Sequence, residues 1–432
     1  LLAIPMVLEM LMESVFAVAD IFFVSMLGAE VVATVGLTET VMALVYTVAA
    51  GLSIGVTALV ARRVGEQDEE AAARATVQAV ALGAALAVVL GVVGLAYARP
   101  LLRLMGASAD VVAVGSGYAA VTLGGSGVVL LLFLLNAAFR GAGDAAVAMR
   151  VLAVANGLNI VLDPVLIFGL GPFPEMGVAG AAVATAASRV IGVAFQLAVL
   201  LRGDGRLRVR ARHVGIQPAV MWRLVRLSGT GTLQSLIGTV SWIGLMRIVA
   251  EFGSEALAGY TVAIRVILFA LLPAWGFGNA AATMVGQGLG AGDPDRAERA
   301  VWLAGLMNLA LLGSAATAFL VAAPGIIGLF GTDAETSAYA VRCLRLVSVS
   351  FYLYAFGAVL TQSFNGAGDV WTPTLLNLVC IWVFEFPLAW TLAFPLGMGA
   401  DGVFIALACS FSAITVVSAL VFRRGRWRRV MV

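Results

Sequence analysis

Lysine is absent from the 432 residues, histidine occurs once, and cysteine occurs three times. All the basic residues are therefore arginine, a compositional bias that carries no mechanism. Cys343, Cys380 and Cys409 fall in or beside apolar runs at unrelated spacings, which indicates neither a metal cage nor a disulfide framework. His213 stands alone in an arginine-rich stretch, where solvation is expected, and no histidine–glutamate zinc motif exists. Charge is scarce too. Only 12% of residues are charged and 62% are hydrophobic, with a mean hydropathy of +1.03. A soluble domain of this length could not hide so much apolar surface. Paired acidic motifs able to hold Mg²⁺ near a membrane face are missing, so the chain is read as a non-enzyme with no cofactor. No nucleic-acid partner is expected either.

What the chain does have is apolar runs of 18 or more residues from end to end, each long enough to cross a ~30 Å hydrocarbon core. Twelve can be counted, and they predict an all-α integral membrane protein surrounded by lipid. Leu1 already lies inside the first run, so a short polar segment is expected ahead of it. The longest polar connection, RGDGRLRVRARHVGIQP at 202–218, separates two sets of six. This gives an N-lobe over 1–201, a basic linker over 202–218 and a C-lobe over 219–432. Most of the 26 arginines lie in, or within a few residues of, connections on one side. By the positive-inside rule that side is cytoplasmic, and both termini fall there, as expected of a multi-pass protein of the cell membrane.

The sequence also repeats itself. Residues 139–144 read FRGAGD and residues 364–369 read FNGAGD, which is an offset of 364 − 139 = 225. The same offset places Gly65, Asp68 and Arg74 on Gly290, Asp293 and Arg299, and Gly177–Val178 on Gly402–Val403. Each half holds an even number of spans. The halves are thus expected to be parallel repeats related by a pseudo-two-fold axis along the membrane normal, an arrangement suited to alternating access. The GAGD glycines permit a tight turn and the Asp can cap the next helix.

Function is expected where the duplication is broken. Asp20 and Asp163 fall on Leu245 and Leu388 in the second half. Acids inside a membrane usually face a cavity and have a task. Asn159 and Asp163 are four residues apart and share a helical face, and Pro164 is expected to bend the helix beside them. Thr185 is either their neighbour or bonds back to its own helix. Glu9, Glu13 and Asp20 fall within an arc of about 40° at 100° per residue. That acidic stripe suits protons, sodium or organic cations, or else Glu9 and Glu13 line a merely hydrated vestibule, and Pro5 is expected to kink the helix. In the second half Gln234 replaces Glu9, and Glu385, next to Pro387, is read as structural or auxiliary, with Arg265 as a candidate partner.

The twelve spans, the duplicated halves, ADIFFVSMLG in the first span, and NIVLDPVLIFG followed by MGVAGAAVAT resemble the multidrug and toxic compound extrusion (MATE) transporters, and in particular their proton-coupled bacterial and archaeal branch. The resemblance implies a cation-coupled antiporter that exports drugs or other amphipathic compounds and acts as a monomer. It places Asp20, Asn159, Asp163 and Thr185 in the family's coupling network, with H⁺ favoured and Na⁺ at Asp20 and Asp163 as the alternative. Asn136 and Asn156 match positions bordering the cavity. Glu13 and Arg189 join them in this chain, and Arg189 stands where an apolar residue is the rule. Either it holds an acid, or it serves an anionic or zwitterionic substrate. A lipid-linked oligosaccharide flippase of the wider superfamily is the rival reading, and few arginines lie within the spans to hold its pyrophosphate.

Overall fold

A computed structural model describes residues 2–27, 29–203 and 205–430. Leu1, Gly28, Asp204, Met431 and Val432, which include both chain ends and one linker position, lie outside the described residues. The chain divides into two compact units, Ile4–Thr232 and Leu233–Val432.

The first half runs α1 (Ala3–Ser25), α2 (Ala29–Gly65), α3 (Glu69–Leu104), α4 and α5 (Ala109–Gly124 and Ser126–Ala142), α6 (Ala145–Phe168) and α7 (Val178–Arg202). The second half runs α8 (Pro218–Ala250), α9 (Ser254–Gly290), α10 (Pro294–Gly328), α11 and α12 (Ala334–Val349 and Phe351–Ala367), α13 and α14 (Trp371–Asn377 and Phe386–Ala393) and α15 (Ala400–Arg423). Each of the twelve expected spans is one such helix or a broken pair. The protein is an all-α membrane fold, as its patterning required.

The repeat is visible in backbone detail. Gly125 interrupts the fourth span of the first half, and Ser350, at the same 225 offset, interrupts the fourth span of the second with a 61° bend. Both GAGD turns close on a glycine in the left-handed region, Gly143 at φ 87° and Gly368 at φ 85°, which a side chain would strain. The single offset does not hold to the end, however. Gly177 caps α7 at φ 55°, ψ −137°, and Gly399, not Gly402, caps α15 at φ 60°, ψ −142°. The GPFPE insertion lengthens the first half's last loop by three residues, so the register there becomes 399 − 177 = 222.

Asp144 and Asp369, the last letters of the two hexapeptides, have diverged. Asp369 accepts from Thr372 N at 3.3 Å and from Thr372 Oγ1 at 2.7 Å, as a helix-start acid should. Asp144 caps nothing and instead accepts from Arg206 N at 2.5 Å, tying the linker down. His213 is also buried rather than solvated. Its Nδ1 accepts from Arg210 N at 3.1 Å and its Nε2 lies 2.6 Å from Glu70 Oε2. The His213 contact, with Arg212 bonded to the same acid, holds the Glu70 carboxyl below its usual range. In the second half Arg428 does the equivalent work, pairing with Asp295 at 3.2 Å and with Glu298. Asp295 is Glu70 shifted by 225, so in each half an arginine-rich segment folds back onto the start of the third span.

Candidate functional site

α1, α5, α6 and α7 of the first unit bring their polar side chains together as a ladder inside apolar packing. One rung joins Arg140 on α5 to Glu9 on α1, Nη1 to Oε1, at 2.6 Å, with side chains 9% and 1% exposed. Burying either charge alone would cost several kcal/mol, so the pair neutralises what neither helix could carry. Glu9 does not line a hydrated vestibule. The arginine of the duplicated hexapeptide takes it into the core instead.

The next rung is centred on Arg189. Its Nη2 donates to Glu13 Oε1 at 3.0 Å, and its Nη1 donates to Asn156 Oδ1 at 3.2 Å. Asn156 Nδ2 reaches back to Met12 O at 3.2 Å and Glu13 Oε2 at 3.4 Å. The guanidinium lies 4.6 Å over the Phe16 ring, one turn along α1 from Glu13. Of the two roles expected for Arg189, the described contacts fit the ion pair.

The third rung is the amide of Asn159, whose Nδ2 donates to Asp163 Oδ1 and to Thr185 Oγ1, both at 3.1 Å. Thr185 is therefore a neighbour across the α6–α7 packing. Asn159 and Asp163 are both fully buried. Their remaining oxygens, Asn159 Oδ1 and Asp163 Oδ2, meet no donor among the described residues. Two buried acceptors without protein donors can be satisfied by a water, a proton or a cation.

Asp20 makes no hydrogen bond to this rung among the described residues, yet it interacts electrostatically with both Asp163 and Arg189. It also acts on Glu39 of α2, an acid within a membrane span that the sequence reading passed over. Glu39 falls on Ile264 under the 225 offset, so the broken-repeat criterion would have found it. Asn136 stands apart from the Asn156 rung. It is buried, and its Oδ1 accepts from Gln196 Nε2 at 2.6 Å, a partner no motif had marked.

The two prolines expected to bend their helices both lie inside described helices. α6 continues through Pro164 to Phe168 as one helix. Pro5 lies within α1. In the second unit Glu385 is buried at the end of a π-helical turn, Leu378–Glu385, and Arg265 is exposed, so the two form no ion pair among the described residues. On α9 and α12 the second half pairs neutral amides instead. Asn365 donates to Gln362 at 2.6 Å, and Gln362 donates to Asn279 at 3.3 Å.

Comparison with known proteins gives a consistent picture. The MatE family profile matches the chain twice, at residues 5–165 and 232–391. The probable multidrug resistance protein YoeA of Bacillus subtilis is 26% identical over 99% of this chain and 93% of that relative. The FAD transporter of Shewanella oneidensis is 25% identical over 90% of this chain and 85% of its own length. Among solved structures, the outward-facing conformation of a multidrug resistance MATE family transporter of the MOP superfamily superposes with a TM-score of 0.92. It is 27% identical over 99% of this chain and 96% of that one.

Proposed function

This chain belongs to the MatE family, and on that premise we propose that it is an antiporter exporting amphipathic organic compounds by alternating access, driven by protons. The observation carrying the reading is the third rung: the buried, donorless Asp163 Oδ2 beside the equally donorless Asn159 Oδ1. A proton needs only one oxygen to sit on. A hard metal cation needs several at once, and the rung offers three oxygen-bearing side chains without Asp20. Sodium at Asp20 and Asp163 is the alternative. The second half places Leu388 and Leu245 where Asp163 and Asp20 stand, so coupling is assigned to the first lobe, 1–201.

In this reading, proton uptake at Asp163 removes a buried charge and lets the α6 and α7 faces close around Asn159 and Thr185. Pro164 gives α6 a place to yield, and release of the proton resets the site. Glu13, Asn156 and Arg189 border the substrate path with Asn136. Because Arg189 is already held by Glu13, the acid left to attract an organic cation or zwitterion is Asp20, with Glu39 beside it. A flippase for an anionic pyrophosphate would need uncommitted cations where this lobe offers paired ones. The test is dye export from inverted vesicles, energised in turn by a pH gradient and by a sodium gradient. Export that follows pH at constant sodium is expected. Export that follows sodium at constant pH would replace the proton in this scheme.

The same reading puts both termini and the 202–218 linker in the cytoplasm of a monomeric protein of the cell membrane. Phe173 and Arg208 are both exposed. A cysteine introduced at Phe173 should react with impermeant maleimide applied to whole cells, and one introduced at Arg208 should not. The opposite pattern reverses the topology.

A further inference from the structure

The arginine-rich face of the first unit holds a cavity of about 130 Å³ that transport leaves unexplained. Three helix ends build it. Arg63 comes from the last turn of α2, Arg74 from the second turn of α3 and Arg223 from the start of α8, with Gln217, Ala71 and Val220 between them. The walls are held in place by the linker. Gln78 Nε2 donates to Gly215 O at 2.6 Å, and Gln217 N donates to Gln78 Oε1 at 3.0 Å. Further along α8, Ser228 Oγ donates to Leu52 O of α2 at 3.5 Å.

We propose that this cavity binds the phosphate headgroup of an anionic membrane lipid. Guanidinium forks match phosphate oxygens, and basic pockets between helix ends at the membrane face are suited to such headgroups. Size points the same way. At about 30 Å³ per water, the space holds roughly four water volumes, enough for a phosphate group but below the 300–1,000 Å³ of sites for drug-sized ligands. Depth agrees as well. A helix as long as α2, 37 residues, reaches about 55 Å against a ~30 Å core, so its last turn stands at headgroup level.

Of the nearby acids, Glu66, Asp68 and Glu70 have partners, one of them an arginine of the cavity, while Glu69 is exposed and takes part in no ion pair among the described residues. Glu66 pairs with Arg63 at 2.6 Å, Asp68 caps Ala71 N at 2.8 Å, and Glu70 holds His213. Arg74 is exposed and takes part in no ion pair among the described residues. The rim favours a lipid over free phosphate. Trp222, adjoining Arg223, is 68% exposed and Ile216 is 76% exposed, as suits side chains that meet acyl chains at an interface. The second half does not repeat the site. Arg63 shifts onto Gly288, whose Cα faces Ala297, while Arg74 shifts onto Arg299 alone.

Purified protein would be titrated with phosphatidylglycerol, phosphatidylcholine or inorganic phosphate, with bound lipid read by native mass spectrometry and stability by thermal unfolding. Phosphatidylglycerol is expected to be retained and to raise the unfolding midpoint, and the other two are not. At about 1 kcal/mol per arginine, Arg74→Gln with Arg223→Gln should weaken retention roughly thirtyfold. Arg299→Gln should leave it unchanged. Equal retention of both lipids, or full retention by the double variant, overturns the site. A midpoint shift produced equally by inorganic phosphate overturns the lipid assignment.

Discussion

Replacing Asp163 with asparagine is expected to abolish gradient-driven export, while replacing Glu385 with glutamine leaves most of it. Asparagine keeps the shape of the buried carboxyl group and still offers one oxygen to the Asn159 amide, 3.1 Å away in the native protein. What it removes is the ability to exchange a proton at the atom corresponding to Oδ2. Coupling between two sites is typically worth 1–3 kcal/mol. Its loss should therefore lower gradient-driven export by roughly 5- to 150-fold, with substrate binding retained. Glu385 is also an acid deep in a span, but the rungs of the first half have no counterparts around it. Asn159 falls on Phe384 at the 225 offset, and Thr185 falls on Leu407 at the 222 offset that governs the last span. Export measured in proteoliposomes with an imposed pH gradient decides the matter. Equal loss in Asp163→Asn and Glu385→Gln would show that the second half shares the coupling.

The expected bends and pairings fared unevenly, for physical reasons. Span number and repeat were legible because hydrocarbon thickness and gene duplication both act along the chain. Asn159 with Asp163 was legible because four residues make one helical turn. Thr185 stayed ambiguous because its hydroxyl could bond within its own helix or across to another, and spacing cannot choose. Arg140 was overlooked as a partner because it belongs to a turn motif, and Glu9 lies 131 residues away. Only a side-chain contact between α1 and α5 brings them together. His213 failed for a related reason. An arginine-rich linker looks solvated until a specific acid, Glu70, is folded beneath it. Gln196 carried no signal at all, since a lone glutamine in a span matters only through its partner. In each case the missing information was a contact between helices, which no local pattern encodes.

The Glu9–Arg140 pair leads to the second large effect, on stability. Arg140→Asn alone should cost about 3–5 kcal/mol, because it strands a carboxylate that is 1% exposed in the native protein. Glu9→Gln alone should cost a similar amount, about 3–5 kcal/mol, because it strands the buried guanidinium even though the glutamine oxygen still accepts from it. The duplication suggests what the double variant will do. At these positions the second half carries Gln234 and Asn365, and it buries them at 7% and 2% exposure with no charge in either. Glu9→Gln with Arg140→Asn therefore installs the neutral residues that the second half carries at these positions, where Asn365 donates to Gln362, and by removing both charges should recover most of the loss from Arg140→Asn. The cycle should show a coupling of about 4 kcal/mol or more, because two large single losses nearly cancel in the double variant. Denaturant unfolding in mild detergent, followed by tryptophan fluorescence, measures all four proteins on one scale. Strict additivity would mean that the ion pair contributes nothing beyond its separate side chains and that Arg140 stabilises the GAGD turn by another route. Recovery in the double variant would also remove charge from the inner end of the acidic stripe while leaving Asp20 and Asp163 in place. If coupling resides in the Asn159 rung, the rescued protein should still export with an unchanged dependence on pH.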